Sequence, residues 1–231
     1  MRVLALDTAT EACTVALWTG QTMISRIEQP GRGHALRILP MIDAVLAEAG
    51  LRLNDLDALA AGIGPGAFTG VRLGVSVAQG MAFGASLAVV PINTLETLAM
   101  QALQPVQNSD RVVLACLDAR MGEIYWGLFK ADDARGVIAV GQPRVDKPQA
   151  ASEAFDGAPQ IGIGRGMRVL QAAGLWAGPC DADALPQAEH MAQLALLRLA
   201  QTAGIDAADL QPLYLRDKVA FTESERAAGA R

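Results

Sequence analysis

The apolar positions of this chain fall into short unbroken runs, the pattern of strands buried on both faces. Residues 3–6 form the first run and close on Asp7. A second strand is expected over residues 13–18 and a third over 23–28, each separated from the last by a short polar turn. Residues 34–49 then carry Leu, Ile and Val at helical spacing, with Pro40 marking either a first turn or a kink. A strand over 56–63 leads through a glycine-rich loop into a helix from about Gly70. A strand over 87–92 and a helix over 94–103 follow, and Asn93 and Glu96 have the spacing of a capping box at that helix start.

The order then begins again. Leu114-Ala115-Cys116-Leu117-Asp118 repeats the apolar run that ends in aspartate. Residues 124–129 repeat the second strand, and 137–144 stand where the third would be. Residues 159–164 read as a short strand running into a glycine turn, and 186–202 as a closing amphipathic helix. The polar, Pro-containing stretch 104–110 separates the halves, and residues 220–231 read as a frayed tail. Two lobes are therefore expected, 1–107 and 108–231, with the C-terminal helix packing back on the first. Residues 73–95 hold no charge, and these 23 positions reach transmembrane length. Glycines and the polar Gln79 and Asn93 inside the stretch favour a buried helix, a turn at 84–86 and a buried strand instead.

Composition narrows the picture. With 52% hydrophobic and 19% charged residues the chain is globular, not disordered. A formal charge of −5 without any Lys/Arg cluster argues against independent binding of nucleic acid, so any nucleic-acid role is expected to run through a partner. Three dispersed cysteines form no disulfide framework or CxxC site. With no signal-like leader, this makes cytoplasmic residence the expectation. The two histidines, His34 and His190, lack HxxxH or HExxH spacing, so no His-based metal site is expected and a metallohydrolase is disfavoured. Gly74-Val75-Ser76-Val77-Ala78 lies within the predicted helix and is no nucleophile elbow.

Asp7, followed by Thr8, and its repeat Asp118 stand at carboxyl ends of strands, where α/β proteins place ligand-binding carboxylates. The alternative is that each closes an Asx-turn on its own backbone. The segment 62–70 packs four glycines between strand and helix, and its N–H groups beside Arg72 suit an anion. No Lys-Ser/Thr follows, so it is not a Walker A loop, and a tight turn with Thr69 as N-cap is the other reading. In the helix after it, Gly70, Gly74 and Ala78 share one face and Ser76, Gly80 and Gly84 an adjacent one. Two small faces leave one for a partner helix.

Four segments, Asp7-Thr8-Ala9-Thr10, Gly64 through Arg72, Asp118 through Tyr125 and Pro212-Leu213-Tyr214-Leu215-Arg216, together resemble the TsaB family, over essentially residues 2–216. The chain departs from the family pattern at Ala67, where Ser is usual, and at Ala35-Leu36, where Ser-Glu is usual. The resemblance implies a duplicated actin-like ATPase (RNase H-like) α/β fold, each lobe a mixed sheet flanked by helices. It further implies a non-catalytic subunit that supports a TsaD-type catalytic subunit, with a TsaE-type ATPase, in threonylcarbamoylation of N6 of the adenosine beside the anticodon. No catalytic residue, no metal and no cofactor is then expected, beyond weak ATP or ADP binding in a degenerate cleft at Asp7, Thr8 and Asp118. His34, Phe68, Thr69, Gly70, Arg72, Gly74, Ser76 and Gly80 are the expected interface, toward TsaD or toward a second copy in a homodimer. An actin-like phosphotransferase or a glycoprotease-like peptidase is the competing reading.

Overall fold

The first sheet owes its position to strands with no polar side to offer solvent. In a computed structural model describing residues 1–103, 111–155 and 159–216, β1 (Val3–Asp7) is buried along its whole length. β2 (Cys13–Trp18) and β3 (Met23–Glu28) add antiparallel on one side of β1. β4 (Ala58–Gly62) and β5 (Ala88–Ile92) add in parallel on the other, giving the order β3-β2-β1-β4-β5. Successive residues of β1 serve opposite faces. Leu4 and Leu6 pack with α1 (His34–Ala49) and α2 (Phe68–Ala85), whereas Val3 and Ala5 face a central core.

The second sheet repeats this plan. β6 (Val113–Arg120) pairs antiparallel with β7 (Glu123–Asp132), and β7 with β8 (Gly136–Ala139). β10 (Ile161–Ile163) and β11 (Cys180–Asp181) continue in parallel beyond β6. The predicted third strand over 137–144 is broken in two. β9 (Arg144–Asp146) pairs separately with the start of β7, because Gly141 at φ 85° and Pro143 turn the chain between the segments. Leu114 and Cys116 of β6 meet α4 (Pro148–Phe155) and α5 (Gly166–Ala172), while Val113, Ala115 and Leu117 face the centre.

The central layer holds α3 (Thr94–Leu103) and α6 (Ala188–Leu199), and they are exchanged. α3, which ends the first half, packs on β6, β7 and β8, while α6, which ends the second, packs on β1 and β2. Their contact surface joins Leu95, Leu98, Met191 and Leu194 to Phe129 and Ile92 in one core. The molecule is thus a stack of five layers: α1/α2, first sheet, α3/α6, second sheet, α4/α5. The capping box expected at α3 is present, with Asn93 Oδ1 accepting from Leu95 N–H at 2.8 Å and Glu96 Oε2 from Asn93 N–H at 3.3 Å.

The charge-free stretch resolves into α2, a left-handed Ser86 at its C-cap and β5, and no helix among the described residues is long and apolar enough to cross a membrane. α2 begins two residues before the expected Gly70. Ala67, not Thr69, is its N-cap, and no side chain caps it. Pro40 lies inside α1 at an exposed position, beyond the first turn, so the Leu36 carbonyl four residues back loses its helical donor on the solvent side. The predicted linker 104–110 and tail 220–231 lie outside the described residues.

Candidate functional site: the cleft between the lobes

The carboxyl ends of β1 and β6 point into one cleft of about 980 Å³, and the loops after β4 and β10 close its sides. The first turn, Thr8 to Glu11, is held by the glycine loop. A side chain on Gly66 or Gly70 would overlap the carbonyl of Ala9 or Thr8, and one on Gly74 would come within 2.9 Å of Thr8 Oγ1. Ala67 N–H donates to Ala9 O at 2.7 Å, and Thr8 Oγ1 donates to Gly70 O at 2.6 Å. The glycines therefore let the start of α2 lie against the β1–β2 turn. The second lobe has a similar close approach: a Cβ on Gly164 or Gly166 would overlap Cys116 in the middle of β6.

The two aspartates differ. Asp7 is 1% exposed and lies behind the cleft. Its Oδ1 accepts from Ala9 N–H, closing an Asx-turn, and its Oδ2 accepts from Thr94 Oγ1 at 3.1 Å. Gly62 lies so close over the carboxylate that no Cβ fits there. Burial raises its pKa from 3.8 to about 6, against the lowering effect of the Ala9 and Thr94 hydrogen bonds. The expectation that Asp7 faces a nucleotide is corrected accordingly: Thr8 and Asp118 line the cleft and Asp7 does not. Asp118 also closes an Asx-turn, accepting from Arg120 N–H at 2.7 Å, and it pairs with the Arg120 guanidinium at 3.0 Å. Among the described residues no group of three His, Cys, Asp or Glu side chains is placed to hold a metal ion.

The residues expected at an interface divide into three sets. Gly70 and Gly74 face Thr8, so their small size serves internal packing and not a partner, which corrects that expectation. Ser76 and Gly80 are exposed on the outer side of α2, where a Cβ on Gly80 meets open space. They share that side with Phe83, 82% exposed, and α1 on the same sheet face bares Leu36, 79% exposed, and Leu39. The remainder border the cleft. His34 and Thr69 line it, and the Arg72 guanidinium stacks 3.2 Å from the centroid of Phe68 and 5.0 Å from that of Tyr214.

Several residues with chemical potential were not singled out by the sequence reading: Glu11, Arg32, Arg165 and Arg168. Glu11 crosses from the first lobe to meet Arg120 at 3.0 Å and Arg165 at 3.6 Å. A C-terminal arm closes the rim. Leu213 N–H donates to Ile63 O at 2.8 Å, and Arg216 pairs with Glu123 and donates to Ala119 O at 3.2 Å. The repeat offered a signal for Arg165, since superposing the halves puts residues 164–168 opposite the 62–70 loop.

Two mixed sheets of the same strand order, facing each other across a cleft at their strand ends, define a duplicated α/β protein of the actin-like class. The chain matches a family model described as TsaD, tRNA N6-adenosine threonylcarbamoyltransferase, over residues 23–163. It is 39% identical to the tRNA threonylcarbamoyladenosine biosynthesis protein TsaB of Escherichia coli strain K12, covering 96% of this chain and 97% of that one. It is 39% identical to the protein of the same name in Haemophilus influenzae, with 96% of each chain covered. A Pseudomonas aeruginosa structure described as YeaZ superposes with a TM-score of 0.84 at 38% identity, covering 93% of this chain and 99% of the other. A further structure, described as similar to peptidase YEAZ from the same organism, gives 0.85 at 38% identity and the same coverage. The chain belongs to the TsaB family.

Proposed function

We propose that this chain is the accessory, non-catalytic subunit of a cytoplasmic machinery for tRNA threonylcarbamoyladenosine biosynthesis. It supports a TsaD-type catalytic subunit, a TsaE-type ATPase completes the assembly, and tRNA is engaged through the complex. The observation that carries this reading is the 39% identity, over 96% of the chain, to a protein named for that biosynthesis. The burial of Asp7 supports the non-catalytic part, because a carboxylate sealed under Gly62 and Thr94 reaches neither substrate nor metal. The outer side of α1 and α2 supports the docking part. Leu36, Leu39 and Phe83 bare apolar surface beside the small Ser76 and Gly80, a combination that suits helix-on-helix contact with the catalytic subunit or with a second copy.

Reconstitution tests the reading. Purified chain, TsaD-type and TsaE-type proteins, tRNA and the threonylcarbamoyl donor are combined, and modified adenosine is scored with and without the chain. Modification is expected only when the chain is present, with no ATP turnover by the chain alone. Modification that proceeds equally without it overturns the proposal.

A further inference from the structure

A sheet edge offers unpaired backbone groups, and proteins guard such edges with charge, proline, brevity or cover. Among the described residues every sheet edge but one is guarded. β3 carries Arg26 and Glu28, each in an ion pair. β5 is covered where Val89 and Ile205 exchange backbone hydrogen bonds of 2.9 and 2.8 Å. β11 is two residues long, and β9 has three residues, two of them charged. β8 and the residues after it, Gly136 to Gln142, hold no charge and no proline, and Ile138 and Val140 expose apolar side chains. The phase of the ladder says which groups are free. Val140 N–H donates to Leu128 O at 2.7 Å, and the antiparallel register sets Ile138 against Lys130 and Val137 against Ala131. Successive residues of an antiparallel strand turn their backbone groups to opposite sides. Val140 and Ile138 therefore bond to β7, whereas Val137 and Ala139 turn N–H and C=O outward, where no turn, loop or side-chain hydrogen bond among the described residues reaches them. A groove of about 600 Å³ runs along this edge, walled by Gln201 and Thr202 after α6. Arg198 in its wall is held by Glu96 at 2.7 Å and by Pro91 O at 2.9 Å. Arg135, also in its wall, is exposed and makes no ion pair with another described residue.

We propose that β8 is a strand-addition site, where an extended, acidic segment of a partner protein pairs antiparallel with Val137 and Ala139 through their outward N–H and C=O groups. Alternate side chains of that segment fall into the groove, and the others lie beside Ile138. Its acidic character follows from Arg135, which stands at the start of β8 and so faces the C-terminal end of an antiparallel guest. A second copy supplies no such charge. With Val137 and Ala139 as the paired residues, any twofold pairing of β8 with itself sets Arg135 against residue 139, 141 or 143, and none of these is acidic. None of the groove residues lines the cleft or belongs to α1 or α2, so this proposal and the accessory-subunit reading stand or fall separately.

The test is fluorescence anisotropy of a labelled synthetic peptide, a short run of alternating Thr and Val ending in two Asp, titrated with the full chain. Saturable binding is expected. A proline at the centre of the peptide is expected to weaken it at least about tenfold, since backbone pairing is broken, and Lys in place of both Asp to weaken it several-fold. On the protein, Ala139→Pro removes an outward N–H at an edge position that accepts proline, and a loss of at least about tenfold is expected. Arg135→Glu is expected to weaken binding several-fold; it is exposed and outside the ladder, so it reports on the site even if Ala139→Pro disturbs β8. The absence of saturable binding would overturn the proposal, as would binding indifferent to the peptide proline, to the Lys exchange or to Arg135→Glu. So would a chain that ignores the peptide and self-associates in a way that Ala139→Pro abolishes, which would assign the edge to a second copy.

Discussion

Asp7 carries the clearest consequence at the scale of single residues. Its carboxyl is raised to about 6 from 3.8 by burial, so the folded state holds its proton more tightly than the unfolded chain does. The stability it contributes is full below pH 3.8, is lost as pH rises to about 6, and stays lost above that. Asp7→Asn is neutral throughout. The unfolding free energy of the variant relative to wild type, read from urea melts, is expected to climb between pH 4 and about pH 6, by up to about 3 kcal/mol, and then to level off. Parallel pH curves would mean that Asp7 does not titrate in this window. From sequence, Asp7 and Asp118 each end a buried strand, and only the turns after them differ, Thr8-Ala9-Thr10 with its hydroxyls against Ala119-Arg120-Met121. What separates them is Thr94, 87 positions further on, whose hydroxyl reaches one and not the other. No local pattern carries a contact of that range.

At the scale of elements, α2 turns one stripe of small residues into two different devices. Gly70 and Gly74 admit the β1–β2 turn, whereas Gly80 admits only solvent. Gly70→Ala is expected to cost about 3 kcal/mol in chemical denaturation, since its Cβ meets backbone that cannot retreat. Gly80→Leu is expected to leave stability unchanged or raise it by about 0.5 kcal/mol, through better helix propensity. The same variant is expected to weaken association with the catalytic subunit at least tenfold in a pull-down or titration, by filling the flat side of the helix. Full-strength association would remove α2 from the contact. The long helices and the paired strands were legible because fifteen or more residues, or two matching runs, average out local noise. α4 and α5, with 8 and 7 residues, are too short to show a period, and β11 is two residues long. The cleft's Arg32, Arg120, Arg165 and Arg168 were illegible for another reason: they come from three separate segments and converge only through the fold.

At the scale of the whole molecule, the exchange of α3 and α6 makes the halves interdependent. Without α6, a fragment of residues 1–103 would bare Val3, Ala5, Ala16, Ala60 and Val90, which belong to the shared core. Neither that fragment nor 111–231 is expected to unfold cooperatively alone by near-UV circular dichroism, whereas mixing the two restores a native-like spectrum. A monomeric, cooperatively melting 1–103 fragment would show that the first sheet needs no cover from α6. The same exchange sets the mechanical character of the cleft. Swinging one sheet away from the other would drag each central helix off the sheet it covers and expose apolar surface on both sides, so opening the gap costs buried area in both halves. Its width is then a built-in length, and adjustment falls to side chains at the rim such as Glu11, Arg32 and Arg168. Any partner resting on α1 and α2 would then stand at a fixed distance from the strand ends that line the cleft.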